Sequence, residues 1–282
     1  MGVNAIKGDL HTHTHLSDGS CSIERLFQLA KNTGLDYISI TDHDHISDKD
    51  RDNELSKKYC VKSIDGVEIS AKDFGRNRRV HILCYMPNKT DELREICKRI
   101  TDNRVSAGLK MAKLAADKYP ITAHDIQNNA IHSDCIFKQH IMQTLISAGF
   151  ATQIFGELFH ELFDFKTGSC MVEHEHVDVY EVLGAVKRSG GICVMAHPYT
   201  YNSLDFLNEI LDKGYLDGIE VWSSKSSLEQ ESVLLDICKK HNLIPTGGSD
   251  FHGAHSSRIC PIGIKTTPKE SIEAMFCLKN LR

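Results

Sequence analysis

The chain has 282 residues, of which 41% are hydrophobic and 25% charged, and its formal net charge is −5. This length and composition predict a globular protein with a substantial core, built as one large domain or as a domain with an insertion. The net negative charge gives no electrostatic footprint for long nucleic acid, which we therefore do not expect as a partner. No segment approaches the roughly 20 apolar residues that span a bilayer, so we expect no membrane partner either.

Ten cysteines are scattered singly along the chain, without the paired spacing of zinc fingers or redox motifs. We interpret them as small buried side chains in a reducing compartment. The first residues show no basic region followed by a long apolar stretch, so the sequence predicts no secretory leader. These features together predict a cytoplasmic protein.

Seven short apolar runs predict the strands of the fold. They cover residues 5–10, 37–41, 66–69, 80–85, 192–196, 218–222 and 244–247. Continuous apolar runs are typical of strands covered on both faces, as in a parallel sheet or barrel. Helical patterns lie between several of them, at residues 22–33, 179–189, 204–212 and 227–241. This alternation favours an α/β fold, a β/α barrel with its active site at the carboxyl ends of the strands.

The alternation stops between the fourth and fifth predicted strands. Residues from about 90 to 185 contain several helical patterns and no convincing strand. We interpret this region as an inserted helical cap. The predicted division is a barrel made of residues 1–98 and 185–282, with the cap at residues 99–184.

Most of the predicted strands end in, or lie beside, a histidine or a carboxylate. His11 and His13 are two residues apart on the first strand, so both imidazoles leave the same face and can hold one ion. Asp250 and His252 repeat this spacing after the last strand. The nine candidate ligands are His11, His13, Asp18, His43, Glu68, His81, His197, Asp250 and His252. A lone histidine at a strand end is more often structural, but nine such residues at six strands predict a polynuclear metal centre.

The same residues carry a resemblance to a known family. The motifs are Asp9-Leu-His-Thr-His13 with Ser17-Asp-Gly19, Thr41-Asp-His-Asp44, Gly66-Val-Glu-Ile-Ser70, Val80-His-Ile-Leu83, Ala196-His-Pro198 and Gly248-Ser-Asp-Phe-His252. In this order and spacing they resemble the polymerase and histidinol phosphatase (PHP) domain family. The resemblance implies a distorted barrel of seven strands that carries two to three divalent ions and hydrolyses phosphate esters.

The resemblance also implies how the nine ligands are divided between the ions. A first ion would be held by His11, His13, Glu68 and Asp250. A second ion would share Glu68 and be completed by His81 and His197. A third ion would be held by Asp18, His43 and His252. The proline after His197 is further expected to restrict that histidine to an extended backbone.

Clustered divalent ions suit phosphate-ester hydrolysis because they neutralise phosphoryl oxygens, lower the pKa of a bound water and stabilise the leaving alkoxide. The sequence therefore predicts a metal-dependent phosphoric ester hydrolase whose nucleophile is a metal-bridging hydroxide. We expect Glu68, His197 and Asp250 to be its catalytic residues. Imidazole and carboxylate ligands are typical of Mn, Fe or Zn, and the choice among these metals stays open.

Four residues are candidates for contacting a small phosphorylated metabolite. Relatives acting on nucleoside 3′,5′-bisphosphates have an Arg-Pro-His segment in the cap, and here residues 137–140 read Phe-Lys-Gln-His. Lys138 and His140 keep a cation and an imidazole but lose the bidentate fork of arginine. Tyr199 and Arg258 could also reach a phosphate, while packing and solvent exposure explain them equally well.

A later basic motif of those relatives is replaced here by an acidic, histidine-rich stretch, Val172-Glu-His-Glu-His176. A solvated loop is the preferred interpretation of His174 and His176, and an extra metal pair is the alternative. This departure weakens the transfer of a bisphosphate substrate. It leaves other small organophosphates open, including a cyclic phosphodiester such as a ribose cyclic phosphate.

Three other functions remain alternatives on the sequence alone. Histidinol phosphate is a rival substrate within the leading class. An amidohydrolase-like enzyme that cleaves a C–N or carboxylic ester bond would use a similar metal centre. A non-catalytic metal-binding module is the third, and the intact set of nine ligands argues against it.

Overall fold

The computed structural model describes residues 6–282. Residues 1–5 lie outside the described part. The predicted start of the first strand, at Ala5, lies among them, and so do most of the first residues, for which the sequence predicts no secretory leader. Within residues 6–282, none of the helices combines the length and the apolar character that crossing a bilayer requires.

The strands form two sheets. The first has the order β10-β1-β2-β3 and consists of β1 (Lys7–Thr12), β2 (Tyr37–Ile40), β3 (Lys62–Ser63) and β10 (Thr267–Pro268). The second has the order β6-β4-β5-β7-β8-β9 and consists of β4 (Gly66–Asp73), β5 (Arg78–Tyr85), β6 (Val177–Asp178), β7 (Ile192–Met195), β8 (Gly218–Ser223) and β9 (Ile244–Gly248). All seven predicted strands are present. The three that were not predicted are two residues long, too short for a recognisable apolar run.

Ten α-helices connect and cover the sheets within residues 6–282. They are α1 (Ile23–Asn32), α2 (Lys49–Tyr59), α3 (Asp91–Ala116), α4 (Ala123–Asn129), α5 (Lys138–Ser147), α6 (Glu157–Phe163), α7 (Val179–Arg188), α8 (Leu204–Ile210), α9 (Leu228–His241) and α10 (Lys269–Asn280). Helix α1 begins where predicted, because the Ser22 side chain accepts a hydrogen bond from the Arg25 N–H. Helix α2 was not predicted because it has no apolar stripe, and Asp52 is its one buried residue.

The α/β class is confirmed, and within residues 6–282 the strands are assigned to two sheets without a closed barrel, so the distorted barrel of seven strands stays a prediction. The two sheets are joined by isolated bridges, between Thr12 and Phe251 and between His43 and Glu68. Strand β5 runs antiparallel to both β4 and β7, whereas the apolar runs favour parallel strands. Burial on both faces produces a continuous apolar run whatever the strand direction, so the run could not distinguish the two. The bridges bring together the strand ends that carry the metal motifs.

The apolar core is divided between the sheets and the cap. The core of the sheets includes Ile96 and Ile100 from the first half of α3. A separate apolar cluster within residues 111–170 includes Met111 and Ala115 from the second half of the same helix. Helix α3 therefore links the sheets to a helical region that has a core of its own.

The limits of this helical region differ from the predicted ones. Strand β6 pairs with β4, and the helix that follows it packs its buried residues Val179, Val182 and Leu183 into the core of the sheets. This packing supports an end of the cap before β6 and a start within α3. The division into residues 1–98 and 185–282 against residues 99–184 stays a prediction.

Candidate metal centre

The carboxylate of Glu68 lies at the middle of the predicted ligands. It is fully buried on β4. Its Oε2 atom lies 3.1 Å from Nε2 of His11, 3.2 Å from Nε2 of His13 and 3.1 Å from Nδ1 of His43. These three histidines follow or end β1 and β2, so the ends of two strands from the first sheet face one oxygen on the second.

The other oxygen of Glu68 faces the histidines of the second sheet. Its Oε1 atom lies 2.8 Å from Nδ1 of His81 and 2.9 Å from Nε2 of His197. One carboxylate therefore lies between two groups of imidazoles. This is the position that a bridging ligand between two ions requires.

Two aspartates complete the cluster on its other side. Oδ1 of Asp250 lies 3.3 Å from Nε2 of His13 and 3.6 Å from Nδ1 of His252. Oδ1 of Asp18 lies 3.2 Å from Nε2 of His252, and its Oδ2 lies 4.0 Å from Nε2 of His43. All nine predicted ligands thus converge on one region.

Several ligand atoms in this cluster are buried without a hydrogen-bond partner. They are Nε2 of His11, both ring nitrogens of His13, Nδ1 of His43, Oε2 of Glu68 and Nδ1 of His197. Buried polar atoms are normally hydrogen-bonded, and leaving one unpaired costs about 1–3 kcal/mol. Unpaired lone pairs that point at shared spaces indicate that the donor set fits divalent metal ions.

Four groups of ligand atoms are compact enough to hold an ion. In each group the atoms lie within 4.8 Å of one another. The groups are His13-Asp18-His43-His252, His11-His13-Asp250, His43-Glu68-His81 and His11-His197-Glu220. The first two contain the predicted third site and most of the predicted first site. The division among three ions stays a prediction.

The electrostatics of the cluster keep its carboxylates ionised. Burial alone would raise the pKa of Glu68, but the surrounding histidines, His11 first, hold it well below its usual range. Burial likewise opposes ionisation of Asp250, and the charge of Lys225 lowers the pKa of that carboxyl well below its usual value. Burial lowers the pKa of His81 to about 4, so its ring is neutral. Burial opposes a charge on His13, but the facing carboxylates of Asp250 and Glu68 raise its pKa to about 10, so this ring carries a proton in the metal-free protein. Metal ions bind ionised carboxylates and neutral imidazoles, and metal binding would displace that proton.

Two of the ligands have unusual backbone conformations. His197 has a φ of 24° and Asp250 a φ of 54°, in the region that favours glycine. The expectation of an extended backbone at His197 is therefore wrong. The N–H of His197 donates a hydrogen bond to Oε2 of Glu220 at 2.8 Å, which holds the turn in place. Such strain costs about 1–3 kcal/mol per residue and is common at functional sites.

Glu220 is a residue of the site that the sequence reasoning missed. It is buried on β8, and its Oε1 lies 2.8 Å from Nδ1 of His11. A carboxylate at Nδ1 fixes the ring and leaves Nε2 facing Glu68, as metal-bound histidines usually require. The sequence signal that could have identified Glu220 is a glutamate inside an otherwise apolar predicted strand.

Two further missed residues contact the aspartate ligands. Nζ of Lys225 lies 2.5 Å from Oδ2 of Asp250. The side-chain amide of Gln139 donates to Oδ2 of Asp18 at 2.8 Å. Gln139 lies inside the segment 137–140, of which only its two neighbours were selected, and Lys225 lies three residues after the predicted strand 218–222. No period connects either residue with the ligands.

A cavity of about 520 Å³ lies between the metal ligands and the cap. Five basic side chains line it: Arg79, Arg104, Lys138, Lys225 and Arg258. Lys225 is paired with Asp250, and Nη2 of Arg104 donates to Oδ2 of Asp44 at 2.7 Å. The cavity therefore joins a cluster of candidate metal ligands to a wall that is rich in cations, an arrangement suited to an anionic ligand.

The predicted contacts on the cap differ in position. Lys138 lines the cavity, and Arg258 lines it from an exposed position. His140 is buried and does not line the cavity as the structure describes it. Its Nδ1 accepts a hydrogen bond from the Phe137 N–H at the start of α5, so it serves the helix end. Substrate contact by the first two residues stays a prediction.

The aromatic contact predicted after the His-Pro turn has a different residue in its place. Tyr199 packs, partly buried, against the core of the sheets and is not among the described residues that line the cavity. Tyr201, two residues later, does line it, and its ring centroid lies 4.8 Å from that of His81. Residues 198–202 form a turn, so no strand period marked Tyr201 in the sequence.

The histidine-rich stretch is a loop with exposed glutamates, but its two histidines are not solvated as expected. His174 and His176 line the cavity, with ring centroids 4.4 Å apart. The His176 side chain is only 4% exposed. Neither residue belongs to a compact ligand group within residues 6–282, so the alternative of an extra metal pair gains no support.

The chain is similar to known proteins in sequence and in structure. The model of the PHP domain family matches residues 9–165. A phosphoribosyl 1,2-cyclic phosphate 1,2-diphosphodiesterase from Eggerthella lenta is 30% identical over 87% of this chain and 94% of the relative. A 5′-3′ exoribonuclease from Haemophilus influenzae is 28% identical over 87% of this chain and 90% of the relative. A crystal structure from Bifidobacterium adolescentis, assigned as a metal-dependent phosphoesterase, has a TM-score of 0.85 at 27% identity and covers 96% of both chains.

Proposed function

This chain belongs to the PHP domain family and is a metal-dependent phosphoesterase, and we propose that it hydrolyses a small cyclic phosphodiester. The observation that carries the proposal is the convergence of nine ligands around Glu68 at one end of the cavity. The Eggerthella relative, named for a cyclic phosphate ester, supports this class of substrate. A phosphomonoester such as a nucleoside bisphosphate is the competing substrate.

We propose that the nine ligands hold two or three divalent ions, chosen among Mn, Fe and Zn. When bound, such ions neutralise phosphoryl oxygens, lower the pKa of a bound water and stabilise the leaving alkoxide. The unpaired buried atoms at the cluster support this occupancy, because binding would satisfy them.

The side chains of the chain itself supply charge and orientation in this proposal. Glu68, His197 and Asp250 remain the proposed catalytic residues, since they hold the centre of the cluster. Lys225 beside Asp250 and Arg258 at the rim offer N–H donors to phosphate oxygens. Charge-assisted hydrogen bonds of this kind are about twice as strong as neutral ones.

The size of the cavity supports a small substrate. Its volume of about 520 Å³ falls in the usual range for small-molecule sites, roughly 300–1,000 Å³. The 5′ end of an RNA strand is a second candidate, because the Haemophilus relative is named as an exoribonuclease. We keep long nucleic acid as the less favoured partner, given the net charge of −5.

A substrate panel tests this function. Protein stripped with a chelator and reloaded separately with Mn, Fe or Zn is given ribose 1,2-cyclic phosphate with and without a 5-phosphate, adenosine 3′,5′-bisphosphate, histidinol phosphate and a 5′-phosphorylated oligoribonucleotide. We expect ring opening of the cyclic phosphate, abolished by the chelator and restored by metal. Turnover of amides or lactones without phosphate-ester cleavage would contradict the proposal.

A cytoplasmic location is also proposed. All ten cysteines are free, and seven of them are buried. Free thiols in this number are typical of a reducing compartment.

A further inference from the structure

The start of helix α5, on the cap, contacts two of the predicted metal ligands. The side-chain amide of Gln139 donates to Oδ2 of Asp18 at 2.8 Å, while Oδ1 of the same carboxylate faces Nε2 of His252 at 3.2 Å. The ring of Phe137 stacks on that of His43, with centroids 6.3 Å apart. Both contacted ligands belong to one compact group, His13-Asp18-His43-His252, which we call the cap-facing group.

A buried ion pair connects helix α3 to the same group. Asp44 directly follows His43, and its Oδ2 accepts a hydrogen bond from Nη2 of Arg104 at 2.7 Å. The Asp44 side chain is 1% exposed and that of Arg104 is 14% exposed. Removing one partner of a buried pair leaves the other charge uncompensated, so the pair resists separation. Arg104 lies on α3, the helix that links the sheets to the cap.

Asp44 joins the end of β2 to β4. Its N–H donates to the carbonyl of Glu68 at 2.9 Å, and its Oδ1 accepts from the N–H of Ser70 at 2.8 Å. Arg104 also donates to Oγ of Ser70 at 3.0 Å. Asp44 has a φ of 55°, so these bonds hold a strained turn directly after a metal ligand. Arg104 therefore supports the position of His43 opposite Glu68.

Close packing fixes Arg104 relative to the start of α5. Its guanidinium carbon lies 4.8 Å from the centroid of Phe137. Gly108 follows Arg104 by one turn of α3, and a Cβ added there would lie 2.5 Å from the carbonyl oxygen of Ile136. Only glycine permits so close an approach of the two backbones. The contacts with the cap-facing group therefore depend on how the cap is seated.

We propose that Gln139 and Arg104 are positioning residues that couple the seating of the helical cap to ion binding by the cap-facing group. Gln139 orients the carboxylate of Asp18, and Arg104 holds His43 through Asp44. An ion that binds better when the cap is seated must also favour the seated cap, because coupling is reciprocal. This inference rests on the proposed metal occupancy and deepens it, since it makes one ion depend on the cap.

A variant that removes one hydrogen-bond donor tests the contact with Asp18. Q139M keeps the length of the side chain and loses the N–H group. Within residues 6–282, Asp18 belongs to no other compact ligand group. We therefore expect the affinity for one ion to fall about tenfold and that for the others to change less than about threefold, as measured by competition with a metal-binding dye.

A second variant tests the ion pair. His43 is shared with the group His43-Glu68-His81, so R104M should weaken up to two ions, by about 10- to 100-fold. The variant D44N/R104M removes both charges, which avoids an uncompensated buried carboxylate. It should show the same loss of affinity with the circular dichroism of the unaltered protein.

Matched residues on the same two helices provide the controls. Gln143 lies one turn later on α5 and does not line the cavity as described. Arg99 pairs with Glu181 at 2.9 Å on an exposed part of α3. Q143M and R99M should both retain the metal affinities of the unaltered protein. Unaltered affinities in both Q139M and D44N/R104M would overturn the coupling.

Hydrogen exchange separates this inference from the proposed function, because it needs no turnover. We expect saturating Mn²⁺ to slow amide exchange in α5 about tenfold, the reciprocal of the effect on affinity. This protection should be lost in Q139M and kept in Q143M. Exchange in α5 that does not respond to metal would overturn the inference even if hydrolysis is found. Protection that Q139M removes, without hydrolysis of any phosphate ester, would support the coupling and contradict the proposed function.

Discussion

The two ends of the cavity hold charge in opposite ways. At the sheet end, histidines face the carboxylates Glu68, Asp18 and Asp250 at 2.8–4.0 Å. At the cap end, Arg79 and Lys138 face the cavity without a carboxylate within 4.0 Å among residues 6–282. The first arrangement suits cations and the second an anion, so one cavity can bind metal ions and the phosphate ester that they act on.

The largest effect should come from removing a ligand at the sheet end. H13A deletes a ring that faces both Glu68 and Asp250. We expect loss of at least one ion and a fall in turnover of more than about 100-fold, with the fold retained. Metal analysis measures the ion content, steady-state kinetics the turnover, and circular dichroism the fold. H124A, which changes an exposed residue on α4, is the control. Full metal occupancy together with full activity in H13A would contradict a metal centre at the sheet end of the cavity.

A smaller effect is expected from the carboxylate behind the ligands. E220Q keeps the shape of Glu220 but removes the charge that faces Nδ1 of His11 and the N–H of His197. Loss of such a partner typically weakens metal affinity about 10- to 100-fold. Competition with a metal-binding dye measures this affinity. An affinity equal to that of the exposed variant E209Q would mean that Glu220 does not support the metal centre.

Activity should depend on pH through the cap end of the cavity, because Lys138 at that end loses its charge near neutral pH. Burial and the charges of Arg79 and Arg104 lower the pKa of Lys138 to about 8, while Asp164 and Glu173 oppose this. The ammonium of Lys138 is charged below that pH, and this charge is lost as the pH rises through about 8. The kcat/KM for a phosphate ester should therefore fall above pH 8.

The matched variant isolates this titration. In K138M the kcat/KM should be lower than that of the unaltered protein below pH 8 and should show no fall near pH 8. A fall of the same size in K138M would assign the titration to another group.

The smallest effect separates two tyrosines. Y199A removes packing against the core and should lower the free energy of unfolding by about 1–3 kcal/mol with kcat/KM nearly unchanged. Y201A, on the cavity wall, should lower kcat/KM a few-fold. Denaturant unfolding and steady-state kinetics give the two readouts; the reverse pattern would return the substrate contact to Tyr199.

The sheet end could be predicted from the sequence because strands impose a period on their side chains. His11 and His13 leave one face of β1, and each later motif lies at or just after a strand. Glu220 also lies on a strand, but the sequence reasoning missed it because the residues around it on β8 are mostly apolar, as in a strand of the core. The antiparallel direction of β5 was not predictable, since burial fixes which residues are apolar and leaves the strand direction open.

The cap end could not be predicted in the same way. Arg79 and Arg104 are ordinary surface residues by composition, and only the tertiary structure turns them toward the cavity. His174 and His176 lie in a stretch without secondary structure, so no period relates them to the other residues. Lys138 was predicted because the resemblance extended to its segment.

The metal content of the purified protein tests the central claim most directly. Mass spectrometry of metals should find two to three divalent ions per chain in the unaltered protein, and at most one in E68Q, which loses the charge between the two groups of imidazoles. E209Q, a surface change, should retain the full number. A protein that binds no divalent ion, or an E68Q variant with the same content as the unaltered chain, would contradict the account.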